Sequence, residues 1–377
     1  MREKWLDSLK GIACVVVFLD HFYLTFCGRL NGLNKVLDVK PFRILINGNY
    51  AVCLFLMISA YIIGMQVYKS KTVKQIQKIA FKRYIRLMPP VFIISLFSLL
   101  IDRTIGYSNV RAAELMNNKW LSGFFTQKLT FPKLIQSSFI NVWWKGDGTF
   151  NGPFWMLSVM FLGTYLVIIL AVITTEKQQG IKLLLLAAGV YLVLNEVYSC
   201  CMVLGVILAN IRYYKDLWKR WEHCRSCVMI SICLFVIALY LPAYQKTIVS
   251  VLYKYSFIPD FLKNRSFYNS ISSFFLLFSI IGIRPIKNML DNNVWLEKIS
   301  KISFSIYLIH WPIICSFSCW AYINFWNESY NHGVFIFCLF ISTTAIVIVL
   351  SKLFYLLIEK RICNYITNKV CERYFDD

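Results

Sequence analysis

Apolar residues in this chain come in long unbroken runs, not in the alternating pattern of strands. Ten runs can be marked: 9–27, 50–68, 89–102, 152–173, 181–195, 199–211, 227–244, 269–283, 302–322 and 333–355. A helix needs about 20 residues to cross the hydrocarbon core of a bilayer. The pattern therefore predicts an all-α fold, a polytopic transmembrane bundle of about ten spans. The third, fifth, sixth and eighth runs are short and are expected to borrow Tyr, Trp and Lys at their edges. The first run begins near Leu9 and is long enough to stay as a span, so no cleavable signal peptide is expected. No internal repeat, low-complexity tract or soluble extra domain is visible, nor the inverted-repeat symmetry that often marks a transporter.

The polar stretches between the runs orient the bundle. With the N-terminus in the cytoplasm, the inside segments (1–10, 69–88, 174–182, 212–226, 284–301 and 356–377) hold 25 Lys and Arg in 94 residues. The outside segments (28–49, 103–150, 245–268 and 323–332) hold 14 in 104 residues. Positive charge collects on the cytoplasmic side, so both termini are expected inside. Segment 69–88 is the strongest signal, with Lys69, Lys71, Lys74, Lys78, Lys82, Arg83 and Arg86 and no acid. Segment 103–150 is the longest connection and carries Trp120, Phe124, Phe125, Phe131, Trp143 and Trp144. That is too aromatic for a solvated linker, so it should fold back onto the outer membrane face as a lid. The tail 359–377 is expected to be a short interfacial helix.

Composition agrees with this picture. The 377 residues are 58% hydrophobic and only 16% charged, where soluble domains carry about 25% charged residues. The net charge of +21 would point to nucleic acid in a soluble protein. In a membrane protein it fixes topology and touches anionic lipid heads, so no nucleic-acid partner is expected. Of 13 cysteines, most sit inside apolar runs, where free Cys acts as a small hydrophobe. His223, Cys224 and Cys227 lie close together, but no second cluster completes four ligands, and no metal site is expected.

Candidate chemistry has to come from ionisable residues inside the runs, which are costly and by default functional. Lys10 and His21 stand eleven residues apart in the first run. A helix places them about 16.5 Å apart along its axis and only about 20° apart around it, on one face. Asp20 follows the histidine at about 100°, placed to pair with or orient a neighbour. Arg83 and Arg86, spaced i, i+3, put two guanidinium groups on one side of a helix, a geometry suited to phosphate. Pro89 and Pro90 are expected to open the next span there. The ninth run carries Ser303, Ser305, Tyr307 and His310, then Trp311 and Pro312. Ser303, Tyr307 and His310 share a face, and Pro312 should kink the helix and free backbone carbonyls near His310. Trp155 suits an interface belt. Glu359 is placed to pair with a basic residue at the inner rim. GxSxG, phosphate-binding glycine loops and HExxH are absent.

Taken in order, four blocks resemble the acyltransferase 3 family of integral membrane acyltransferases. They are Asp7-Ser-Leu-Lys10 with His21, Phe55-Leu-Met-Ile-Ser59-Ala60-Tyr61, Arg83-Tyr84-Ile85-Arg86-Leu87-Met88-Pro89, and Ser303-Phe304-Ser305-Ile306-Tyr307-Leu308-Ile309-His310. A further stretch from Asn151 through Trp155 is similar to a family segment in which many members carry Glu where this chain has Met160. Ala60 stands for the usual Gly, and Lys10 for the commoner Arg. The resemblance implies one integral membrane acyltransferase domain over 1–377, multi-pass in the inner cell membrane. It implies an acyl-CoA donor substrate, most often acetyl-CoA, and no permanently bound cofactor. The acceptor would be a hydroxyl of a surface polysaccharide or lipid-linked glycan. On this reading His21 is the catalytic base, assisted by Asp20, and Lys10, Arg83 and Arg86 hold the donor's phosphates. Asp7, Ser59, Trp155, Ser305, Tyr307, His310 and Glu359 form a second tier. A transporter or flippase is the alternative that ten spans with buried His and Asp would also fit; a membrane receptor is a weaker one.

Overall fold

The computed structural model describes residues 3–27, 42–175, 180–214, 221 and 224–375. Every regular element among them is helical. The long helices are α1 (Lys4–Phe26), α2 (Gly48–Lys69), α3 (Val73–Thr104), α4 (Trp155–Ile173), α5 (Gly180–Val193), α6 (Val197–Tyr214), α7 (Arg225–Leu252), α8 (Arg265–Gly282), α9 (Arg284–Asn292), α10 (Val294–Ile313), α11 (Cys319–Phe325), α12 (His332–Phe354) and α13 (Asn364–Phe375). Eight stretches among the described residues are long and apolar enough to cross a membrane. The bent pair α8–α9, turning by 95°, would make a ninth. The sequence pattern predicts about ten. The difference lies in α5, whose 14 residues rise only about 21 Å against a hydrocarbon core of about 30 Å, and in that sharp bend.

Two boundaries also differ from the sequence reading. The expected inner loop 69–88 is helical from Val73 onward, so Pro89 and Pro90 sit inside α3 and do not open it. Leaving the helix there would cost more backbone hydrogen bonds than the two prolines remove. The expected tail helix is continuous with the last span: α12 passes through a π-helical stretch, Tyr355–Cys363, into α13. His223 lies outside the described residues, and no group of three metal-ligating side chains occurs among those described.

The chain divides into two compact units, and α1, α3, α4 and α10 contribute to both. The first unit holds Met1–Val17, Val39–Ala80 and Leu162–Ser300. In it α2 and α6 pack through small residues. A Cβ on Gly205 would stand 2.5 Å from the Met57 carbonyl oxygen and 2.6 Å from Ala60 Cβ. One on Gly64 would stand 3.0 Å from Ala209 Cβ. Ala60 and Gly64, like Gly205 and Ala209, are spaced i, i+4, which lets two membrane helices approach backbone to backbone. The first turns of α1 are anchored by hydrogen bonds from the Trp5 N–H to Asp291 Oδ1 (2.7 Å) and from Ser8 Oγ to the Leu290 carbonyl (2.6 Å). Pro242 lies inside α7. It cannot donate to the Ala238 carbonyl one turn back, and Ser272 Oγ of α8 does so at 2.5 Å.

The second unit holds Phe18–Asp38, Phe81–Phe161 and Lys301–Asp377. Segment 105–154 lies within it as short helices, among them Asn109–Met116, Phe131–Gln136 and Val142–Lys145. Its apolar residues Leu121, Leu129, Leu134, Val142 and Trp143 are buried, which is why so aromatic a connection does not stay in solvent. The Arg103 guanidinium donates to the Leu129 carbonyl (2.8 Å), and the Ser108 N–H to the Cys315 carbonyl (3.1 Å). Trp143 Nε1 donates to Ser138 O (2.8 Å). Along α12, Val334, Phe337, Ile341, Ile348 and Val349 are exposed, the character of a face covered by lipid.

Close approach at Gly205 gives a sharp expectation. Gly205→Val should lower the melting temperature in detergent and the yield of folded protein. Gly189→Val, at a helical glycine with open space around it, should do neither. Equal melting temperatures for the two variants would contradict small-residue packing of α2 on α6.

Candidate active site

The site is built around two histidines. His310 is fully buried on α10. Its Nδ1 lies 2.9 Å from the Ile306 carbonyl oxygen. A carbonyl only accepts, so Nδ1 carries the proton. With the ring neutral, Nε2 keeps a lone pair, and His21 Nδ1 lies 2.7 Å from it. His21 therefore donates through Nδ1, and its own Nε2 is left unprotonated. The network fixes both tautomers. The rings stack at 5.0 Å between centroids, tilted by 12°. His310 sits under Phe18, edge to face at 6.3 Å, while His21 keeps some exposed surface.

Pro312 shapes this part of α10. It removes the N–H that would bond the Leu308 carbonyl. Asn151 Nδ2 donates to that carbonyl instead, at 2.7 Å. Tyr307 OH donates to the Pro153 carbonyl one helical turn below. These two bonds tie the Asn151–Phe154 turn to α10. That turn follows Gly146, whose φ of +65° is left-handed, and Asp147, which accepts from the Thr149 N–H (3.0 Å) and Oγ1 (2.6 Å). Burial pushes the Asp147 carboxyl up, but the Thr149 bonds, together with Ser137 and Asn141, outweigh it and hold the group below the usual carboxylate value. Past Pro312, Ile314–Ser318 forms a π turn, a feature frequent at functional sites.

Aromatic rings close over His21. Trp311 stands at 5.1 Å and Trp120 at 6.1 Å between ring centroids. Phe124 lies 4.7 Å from Trp311 and 5.2 Å from Trp120. The segment bearing Trp120 and Phe124 is held by its backbone. Asn109 Nδ2 donates to the Leu121 (3.1 Å) and Phe124 (2.7 Å) carbonyls. Asn118 Nδ2 donates to Leu24 (2.8 Å) and Thr25 (3.2 Å) near the end of α1. Next to it Phe125 is left-handed (φ 50°), its ring stacked on Tyr107 at 3.7 Å.

A second cluster of the same unit gathers Ser305, Glu359, Arg83 and Arg86. Ser305 Oγ donates to Glu359 Oε1, and Arg86 acts electrostatically on both Glu359 and Arg83. Two guanidinium groups and one carboxylate thus lie in one electrostatic cluster. Ser305 lies five residues before His310, about 7.5 Å along α10.

The sequence matches the family described as acyltransferase domain over residues 3–352. The chain belongs to the acyltransferase 3 family. It is a multi-pass membrane acyltransferase, which decides against the transporter and receptor alternatives. No curated protein and no solved structure matches it.

The acyltransferase thus has its expected residues in two places. His21, His310, Tyr307, Ser305, Glu359, Arg83 and Arg86 belong to the second unit, as do Asp20 and Trp155. Asp20 is half-buried on the turn of His21, and His310 is the group on His21 Nδ1. Trp155 is exposed, its carbonyl accepting from Ser158 Oγ at 2.8 Å. Lys10, Asp7 and Ser59 belong to the first unit. Lys10 pairs with Asp7 at 3.8 Å, and Ser59 is half-buried on α2 beside Ala60. Asn151 and Trp311 were not among the sequence candidates. One signal for Asn151 was present: a proline inside a span demands a donor for the carbonyl it abandons, and an asparagine beside Gly-Pro offers one.

The Asn151–Leu308 bond can be weighed with a double-mutant cycle. Asn151→Ala should cost about 1–3 kcal/mol by stranding a buried carbonyl. In a Pro312→Ala background the restored N–H supplies the missing donor, and the same change should cost markedly less. The two melting-temperature differences in detergent measure this; equal losses in both backgrounds would remove Asn151 from its capping role.

Proposed function

We propose that this acyltransferase moves an acyl group, most often acetyl, from acyl-CoA to a hydroxyl of a surface polysaccharide or lipid-linked glycan in the inner cell membrane. The observation that carries the reading is the directed chain from the Ile306 carbonyl through His310 to His21. It leaves His21 Nε2 as the basic nitrogen of a ring that keeps some exposed surface.

The acceptor hydroxyl gives its proton to His21 Nε2 as its oxygen attacks the thioester carbonyl. His310 Nε2 accepts from His21 Nδ1 throughout, so it orients the base and stabilises the imidazolium that forms. It serves the purpose a carboxylate serves in other base dyads, without placing a formal charge in a low-dielectric interior. General-base catalysis of this kind contributes about 10²–10⁴ in rate. The guanidinium groups of Arg83 and Arg86 suit the phosphates of coenzyme A. Lys10 is assigned to the same phosphates on the family resemblance and is tested separately.

The test uses inverted membrane vesicles, radiolabelled acetyl-CoA and a lipid-linked glycan extract. The parent should label glycan, and His21→Ala, at equal membrane abundance, should not. Normal transfer by His21→Ala would overturn the mechanism. His310→Phe should lower kcat by about 10–100-fold, less than loss of the base itself. Arg83→Ala and Lys10→Ala should each raise the acetyl-CoA concentration needed for half-maximal rate. An unchanged donor dependence in both would remove the phosphate role.

A further inference from the structure

Trp311 is 1% exposed. Its indole Nε1 is buried and has no hydrogen-bond partner among the described residues. Leaving such a donor unmet costs about 1–3 kcal/mol, and few buried donors in folded proteins are left so. The rings of Phe124, Trp120 and His21 stand about the side chain. The backbone beside the N–H is kept bare. A Cβ at Gly152 would stand 2.8 Å from Nε1 and 2.6 Å from Phe124 Cε1. The neighbouring Asn151 spends its Nδ2 on Leu308, while its Oδ1 is likewise buried without a partner. An unspent donor therefore sits with its ring 5.1 Å from the ring of His21.

We infer that the Trp311 indole N–H holds the oxygen of the transferring acyl carbonyl as that oxygen becomes an oxyanion. The assignment rests on the reading of His21 as the base. The acceptor O–H bond breaks and its proton goes to His21 Nε2. The hydroxyl oxygen bonds to the carbonyl carbon, and the carbonyl π pair moves onto oxygen, where Trp311 donates to it. When the pair returns, the C–S bond breaks, and the departing thiolate takes the proton from His21. Ester and free thiol are the products, and nothing is oxidised or reduced. A donor aimed at charge that develops only in the transition state raises kcat and leaves ground-state binding nearly untouched. The Phe124 ring stands edge to face with Trp311 at 4.7 Å, on a segment whose backbone Asn109 holds.

Trp311→Phe keeps an aromatic ring and removes the donor. The glycan-labelling assay with acetyl-CoA should show kcat lower by about 10²–10³. The donor KM should stay within about threefold and the melting temperature in detergent should hold, a split that simple loss of packing would not give. If Trp311→Phe does not fold, the benzothienyl analogue of tryptophan at position 311, with sulfur in place of N–H, makes the same comparison at constant shape. His21→Gln is measured beside it. An inactive His21→Gln with a near-normal kcat for the donorless variant overturns the indole assignment and leaves the base in place. Near-normal kcat in both overturns the base and the indole together. No labelling by the parent overturns the acetyl-CoA reading before any variant is compared.

Discussion

The hydrogen bond from Asn151 Nδ2 to the Leu308 carbonyl is the contact on which the site depends. In water a carbonyl released by a proline finds a solvent donor. In the apolar interior of a membrane protein it does not, and the stranded group carries its full desolvation cost. Pro312 thus obliges some other element to supply a donor at one place on α10. Asn151 supplies it and brings the Gly152–Pro153 turn with it, and Tyr307 fastens the same turn through the Pro153 carbonyl. His310 follows on the next turn of α10, where its Nδ1 is held by the Ile306 carbonyl. The first unit uses the same device at Pro242, where Ser272 meets the Ala238 carbonyl and Asn47 Nδ2 donates to the carbonyl of the proline itself (3.1 Å).

A pair of neutral imidazoles is an economical way to place a base inside a bilayer. A carboxylate beside His21 would strengthen the base, but its own desolvation would have to be met by further donors. A second histidine, polarised by a backbone carbonyl, needs no counter-ion. Arg83, Arg86 and Glu359 of the same unit form a separate charged cluster. Ser305 of that cluster and His310 stand on the same helix, α10.

Much of this was legible in the sequence, for a physical reason: long apolar runs admit helices and little else. The membrane-crossing helices, and the helix that carries Ser303, Tyr307 and His310, could be read from period and composition. Boundaries were less legible. Segment 69–88 looks like a loop because it is charged, but charge on a helix that projects beyond the lipid is no obstacle to helicity, and α3 starts at Val73. The 95° bend after Gly282 has no counterpart in hydropathy. Partnerships were legible only in kind: Glu359 could be placed with a basic residue of the inner rim, but nothing singled out Arg86. That His21 meets His310 across 289 residues, and that an asparagine 157 residues from Leu308 completes its turn, are results of folding that no local pattern carries.

The π turn at Ile314–Ser318 has a consequence for how such chains change. A π turn holds one residue more than the α turn it replaces, so everything after it is rotated by about 100° about the helix axis relative to an unbroken α-helix. Removing one residue from this stretch would restore the regular turn and swing Tyr322 and its neighbours on α11 around the axis, while His310 stayed where it is. Point substitutions alter what a side chain is. A single-codon deletion here would alter where a whole set of side chains faces. The length of this short stretch is therefore itself a structural parameter, one that substitution scanning leaves untouched.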